Sequence, residues 1–259
     1  ISKSVGNSAS AFLINAYLTA SSYAVYSVGS FKIPLIRDFY ASISKVTRPK
    51  MAKYWKENKD EMAKILWHKQ MSIFFCVTYP LVLFFIIIAH DFITLLFTNQ
   101  YADSVNIFRI LLLLILLQSS SWGTVPKAYN ATVFVFWANT SSMVVGVTLG
   151  FIMISKWGLY GAAISAILAF ATEVFLQLIK SKSLLNLSLT KWLPWKNLFQ
   201  IFILNTIISV PLFFILQLDL HKLIKLIISG FIFFIPLVFL YQKFNILDIE
   251  ELLKNFIKR

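Results

Sequence analysis

Six stretches of this chain are apolar over the length that a helix needs to cross a bilayer: residues 70–90, 104–122, 131–155, 159–180, 197–218 and 223–241. A hydrocarbon core of roughly 30 Å takes about 20 residues of helix. Inside lipid a chain must satisfy its own backbone polar groups, which apolar runs of this kind achieve as helices. Composition agrees, since hydrophobic residues make up 58% and charged residues 14% of the 259. That is too little polarity to cover a soluble domain. The expected fold is all-α, a polytopic transmembrane helical bundle.

The net charge of +13 would suggest nucleic acid in a soluble protein. Here the cations fall in the gaps between apolar runs, so no nucleic-acid partner is expected. One gap carries Lys45, Arg48, Lys50, Lys53, Lys56, Lys59, Lys64 and Lys69, and the next, "DFITLLFTNQYAD", carries no Lys or Arg. Lys127 follows at one end and Lys156 at the other, then Lys180, Lys182, Lys191 and Lys196. The positive-inside rule makes the richer end cytoplasmic, including the C-terminus. Trp122, Trp157, Trp192 and Trp195 fall at run ends, as interfacial anchors do. The tail at 243–259 repeats apolar residues at helical spacing and reads as an amphipathic surface helix. Residues 1–14 read as the tail of a further span, and the chain, starting at Ile1, as a piece of something longer.

Alternation of the gaps requires residues 21–46 to cross as well, although Lys32, Arg37, Asp38 and Pro34 interrupt them. On a helix at 100° per residue, Ser30, Arg37, Ala41, Ser44 and Arg48 share a small, polar stripe opposite Leu35, Phe39, Ile43 and Val46. Lys32 falls on the apolar side of a straight helix, and a bend at Pro34 would move it. A charge at mid-bilayer costs roughly 2.5–3.5 kcal/mol on insertion scales, so such residues face protein or water. Glu173 poses the same question on a stripe with Ala162, Ala166, Ala169, Gln177 and Lys180. It is either a paired carboxylate in a tight seam or a protonatable coupling site. Arg37 and Glu173 fall at similar distances from the basic end, which predicts that they approach each other. Arg109 lies about a turn inside the opposite boundary, within reach of the headgroups. Asn139, Ser142, Gly146 and Gly150 form a second small stripe suited to packing.

No catalytic constellation is present. His68, His90 and His221 are far apart, and HExxH, GxSxG and P-loop patterns are missing. The single cysteine, Cys76, excludes a disulfide or a thiolate cluster within the chain. No enzyme activity, metal or cofactor is expected.

Ordered elements over roughly residues 10–180 resemble a known family. They are "YLTASSYAVYSVGSFKIPL", the long basic connection with the Pro-bearing helix and outer turn that follow it, and "SKWGLYGAAISAILAFATEVFLQL". The chain is similar to the C-terminal half of a polysaccharide biosynthesis protein, an O-antigen type oligosaccharide flippase of the multidrug/oligosaccharidyl-lipid/polysaccharide exporter superfamily. The resemblance implies that residues 1–180 form the second six-helix bundle, its first helix truncated. Residues 181–196 would be a cytoplasmic loop, and 197–242 two accessory helices. It further implies a bacterial inner-membrane protein that flips polyprenyl-pyrophosphate-linked oligosaccharide by alternating access, for surface polysaccharides such as lipopolysaccharide. Partners would be that lipid, the bilayer, the missing N-terminal bundle and a coupling H+ or Na+. Arg offers a pyrophosphate a planar pair of donors, so Lys32, Arg37, Asp38, Glu173 and Arg109 are the substrate-path candidates. Competing readings are a cation-coupled drug exporter, with Asp38 and Glu173 as its acids, a membrane-embedded glycan polymerase or acyltransferase, and a structural membrane protein.

Overall fold

The computed structural model describes residues 19–34, 36–118, 123–188, 191–244 and 246. The expected span at 1–14, Trp122, the side chain of Arg37 and nearly all of the 243–259 tail lie outside them. The described elements are α1 (Ala20–Gly29), α2 (Ile36–Lys56), α3 (Asp60–Phe97), a 3-10 turn (Asn99–Tyr101), α4 (Ser104–Gln118), α5 (Thr124–Ala128), α6 (Thr132–Leu184), α7 (Trp195–Gln217) and α8 (Lys222–Lys243). By length and composition α3, α6, α7 and α8 can each cross a membrane. The described chain is a helical membrane bundle.

The axis is α3, on which α2, α4, α7 and α8 all pack. Lipid supplies no hydrophobic drive between helices, so close packing and interhelical hydrogen bonds hold them. Aromatic rings mark the levels along α3. Phe74 meets Tyr40 of α2 at 4.7 Å, Phe84 meets Phe233 of α8 at 5.8 Å, and Phe92 meets Phe108 of α4 at 5.7 Å. Helix α7 runs parallel to α3, with Asn197 Nδ2 donating to Ser72 Oγ at 3.2 Å near one end. Helix α8 returns, with Lys222 Nζ donating to Thr94 Oγ1 and Asn99 Oδ1 at 2.8 Å near the other. Asn205 Nδ2 donates to Tyr241 Oη at 2.7 Å and joins α7 to α8. Such bonds contribute roughly 0.6–2 kcal/mol each.

The 53 residues of α6 are two helices, reversed at Gly158 (φ 55°, ψ −130°). Lys180 Nζ lies over the Phe134 ring, Ser142 Oγ donates to the Ala169 carbonyl at 2.7 Å, and Gly161 abuts Met153. Residue numbers that meet fall on one arm while they rise on the other, so the arms are antiparallel and correspond to the two runs at 131–155 and 159–180. A β-carbon on Gly161 would stand 2.0 Å from the Met153 carbonyl oxygen, and one on Gly146 3.1 Å from Ala169 Cβ. Small residues are what let the arms touch, as expected for both stripes.

The expected crossing at 21–46 is not one helix. It stops at Gly29 and restarts at Ile36. Helix α1 ends at Ser30, whose N–H donates to the Tyr26 carbonyl, while the Phe31 N–H donates to that of Val28. Pro34 has no N–H and disfavours a helical Ile33 before it. The second half then continues through Pro49 to Lys56, absorbing most of the basic gap into α2.

Basic residues collect where α2 ends, α3 begins and α6 ends, with Lys191 and Lys196 between α6 and α7. A core of Met51, Trp67, Val125, Tyr129, Val174 and Leu178 closes the bundle at this end. The opposite end, at Phe97, Ser104 and Gly158, carries few cations. The residues expected to form the 181–196 loop are helical as far as Leu184, and α7 starts at Trp195.

Candidate functional site

The break between α1 and α2 begins near the cation-poor end of the bundle, where the Phe31 ring meets Phe92 at 5.9 Å and Phe97, the last residue of α3, at 5.8 Å. Gly29 is pressed against Ile107 of α4, where a β-carbon would come within 2.7 Å. Tyr40 Oη donates to the Ile115 carbonyl at 3.4 Å. Residues 30–34 therefore lead inward from the level of Ile107 towards that of Ile115, a stretch of α4 that includes Arg109. Burial alternates through them: Phe31 and Ile33 pack on the core around Val82, Ile93 and Phe108, and Lys32 and Pro34 are exposed. That is the period of two expected of non-helical, extended backbone. It settles where Lys32 goes, namely away from α3 and α4. Among the described residues, neither the Lys32 ammonium nor the N–H groups of Lys32 and Ile33 have a hydrogen-bond partner.

Helix α2 prolongs this flank. Ile36, Thr47 and Met51 are buried, whereas Asp38, Ala41, Lys45 and Arg48 are exposed. The position of Arg37 shares the register of Ala41 and Arg48, and its side chain is outside the described residues. Asp38 sits in the first turn of α2, where a negative charge complements the free N–H groups. A polar face thus runs from Lys32 to Arg48. Irregular backbone and charge within a bilayer persist where they are covered by protein or line a water-filled cavity.

The other candidates go elsewhere. Glu173 is buried in α6 and accepts a hydrogen bond from Gln177 Nε2 at 3.1 Å. Gln177 stands against Gly123, and Gln70 Nε2 donates to Thr124 Oγ1 at 3.4 Å. Gln70, Thr124, Gln177 and Ser181 are all buried, giving a polar layer just inside the basic end. Of these, sequence reasoning singled out only Glu173 and Gln177; Gln70, at the edge of a long apolar run, was the available signal. The expected approach of Arg37 to Glu173 rested on equal depth. Arg37 belongs to the first turn of α2, whereas Val174, beside Glu173, joins the core at the basic end. The contact itself lies outside the described residues. Arg109 donates through Nε to the Ile86 carbonyl at 3.1 Å and through Nη1 to Asn106 Oδ1 at 3.4 Å, tying α4 to α3.

A groove of about 460 Å³ opens at the basic end between α3 and the start of α7. Its lining includes Lys64, Lys191, Lys196 and His68. Burial holds the His68 imidazole below its ordinary value, against the opposing pull of the Trp192 and Lys191 backbone. No group of His, Cys, Asp and Glu suited to a metal ion occurs among the described residues.

Comparison with known proteins adds one finding. Residues 1–106 match the family described as Polysaccharide biosynthesis protein. The match covers the break, all of α2 and α3 and the start of α4. No curated protein and no solved structure matches the chain. The family match and the long apolar helices support a multi-pass membrane protein of polysaccharide biosynthesis.

Proposed function

We propose that the chain forms one side of a flippase for polyprenyl-pyrophosphate-linked oligosaccharide, working by alternating access in a bacterial inner membrane with the C-terminus in the cytoplasm. The observation that carries the reading is Lys32: an exposed cation in a helix break on the cation-poor side of the bundle, beside two uncommitted backbone donors. A pyrophosphate is a concentrated anion, and fixed N–H groups with an ammonium are the donors it needs. The polar face from Lys32 to Arg48 would form one wall of the path, a further bundle of the same protein the other wall, and the polyprenyl tail would stay in lipid. The match of residues 1–106 to a polysaccharide biosynthesis family supports a glycan cargo. No chemistry on the cargo is required, and the role is transport rather than catalysis.

The test is complementation of a flippase-deficient strain with the full-length gene carrying Lys32→Ala, Lys32→Glu or Lys32→Arg. Lys32→Glu should cut flipping at least tenfold and accumulate lipid-linked glycan in the inner leaflet, with Lys32→Arg close to wild type. Normal flipping by Lys32→Glu would remove the residue from the mechanism. A second reading, a cation-coupled drug exporter of the same superfamily, draws on buried Glu173. It requires that Glu173→Gln abolish drug efflux and leave glycan export intact.

A further inference from the structure

The groove at the basic end is unused by the flipping mechanism and does not depend on it. It is two-sided. Lys64, Lys191 and Lys196 supply cations, and Glu61 is the single carboxylate among the lining residues. Ile65, Leu187, Leu193 and Trp195 supply an apolar side. Ile65 and the Trp195 indole remain 61% and 54% exposed, at the level where Trp commonly sits in a membrane interface. His68 Nε2 is shut from water without a hydrogen-bond partner. Helix α7 starts here with Pro194 as its cap and no side chain closing its first turn.

From this lining we infer that the groove is a site for the phosphodiester headgroup of an anionic lipid of the leaflet at the basic end. Lys191 and Lys196 face the phosphate, and the glycerol and first methylenes lie on Trp195 and Ile65. A free phosphate would use the cations and leave the apolar side idle, so the lipid is the better match. Glu61 already occupies part of the site. Its Oε1 lies 2.6 Å from Lys64 Nζ, and that bond, with the nearby charges of Lys64 and Lys191, holds the carboxyl below its usual range. A bound phosphate must compete with this carboxylate, which sets the direction of one variant in advance.

The experiment uses the full-length protein in detergent, with native mass spectrometry of added phosphatidylglycerol, phosphatidylcholine of the same acyl chains, and inorganic phosphate. Phosphatidylglycerol should be retained at least fivefold over phosphatidylcholine, and millimolar phosphate should not displace it. Removing Lys191 and Lys196 by alanine should weaken it about fivefold per residue, the factor matching roughly 1 kcal/mol per interfacial lysine. Glu61→Gln should tighten it severalfold, a gain that damaged folding cannot mimic. Equal retention of the two lipids, full displacement by phosphate, or unchanged or weaker binding by Glu61→Gln would each overturn the proposal.

Discussion

The chain leaves helical geometry at two places that look alike in sequence. "GSFKIP" holds Gly29, Lys32 and Pro34, and "SKWGLYG" holds Lys156, Gly158 and Gly161. Their surroundings differ. At Gly158 the chain reverses at an end of the bundle, and Lys156 and Trp157 are exposed where released backbone groups can meet water. At residues 30–34 the chain continues in the same general direction, from the level of Ile107 towards that of Ile115, with Phe31 and Ile33 on the core and Lys32 exposed. The same ingredients make a reversal of the chain at one break and a candidate site, with no reversal, at the other. Whether the chain reverses, and the surface that the break faces, decide between them.

The largest effect that tests this contrast is structural. Gly161→Ala puts a β-carbon 2.0 Å from the Met153 carbonyl oxygen, against backbone that cannot step aside. It should cost about 3 kcal/mol by overpacking, seen as a lower unfolding temperature and folded yield in detergent. A wild-type melt for this variant would show that the reversal is not sealed as described.

The second effect concerns function. Lys156→Glu and Lys32→Glu change the same charge at the two breaks. In the complementation assay the first should stay within about twofold of wild type, since single exposed charges contribute little, while the second should lose flipping at least tenfold. Equal losses would mean that net charge matters and the facing surface does not.

Much of this architecture is legible in the sequence. The runs behind α3, α7, α8 and both arms of α6 stand out by hydropathy alone, because a spanning helix leaves a long uniform signal. The small stripes at Ser142, Gly146 and Ala169 are readable for a related reason: only small side chains allow such an approach. The segment at 21–46 misleads because a period of 3.6 can be laid over any sequence, and laying it there gave Lys32 a face it does not have. Gly29, Ser30 and Pro34 are breaker signals, and Phe31 and Ile33 alternate with Lys32 and Pro34, so the evidence for a break was present at short range. Pro49 suggests a helix end, yet α2 runs through it at the basic end. The groove at Lys64, Lys191 and Lys196 could not be read in advance, because it joins residues far apart in sequence by the docking of α7 on α3.

A finer test probes the alternation itself. Single cysteines at positions 31, 32 and 33, in a Cys76→Ser background, should react with a water-soluble maleimide in membranes at different rates. Position 32 should label at least tenfold faster than its neighbours, which face the core of Val82, Ile93 and Phe108. Restoring helix-forming capacity with Pro34→Ala should narrow that ratio by returning the missing N–H. Three equal rates would indicate a helix turning freely there, and the distinction from Gly158 would lose its basis.

The smallest effect lies in the seam of α6. A β-carbon on Gly146 would meet Ala169 Cβ at 3.1 Å, tighter than usual but against a side chain rather than backbone. Gly146→Ala gains helix propensity of about 0.5–1 kcal/mol and loses a comparable amount to crowding, so its unfolding temperature should move by only a few degrees. Gly146→Leu has no such offset and should approach the Gly161→Ala loss. If both variants are silent, the arms are held by the reversal alone. If Gly146→Ala already unfolds the protein, the seam is as unyielding as the contact at Met153, and rigidity extends from the turn down the length of the hairpin.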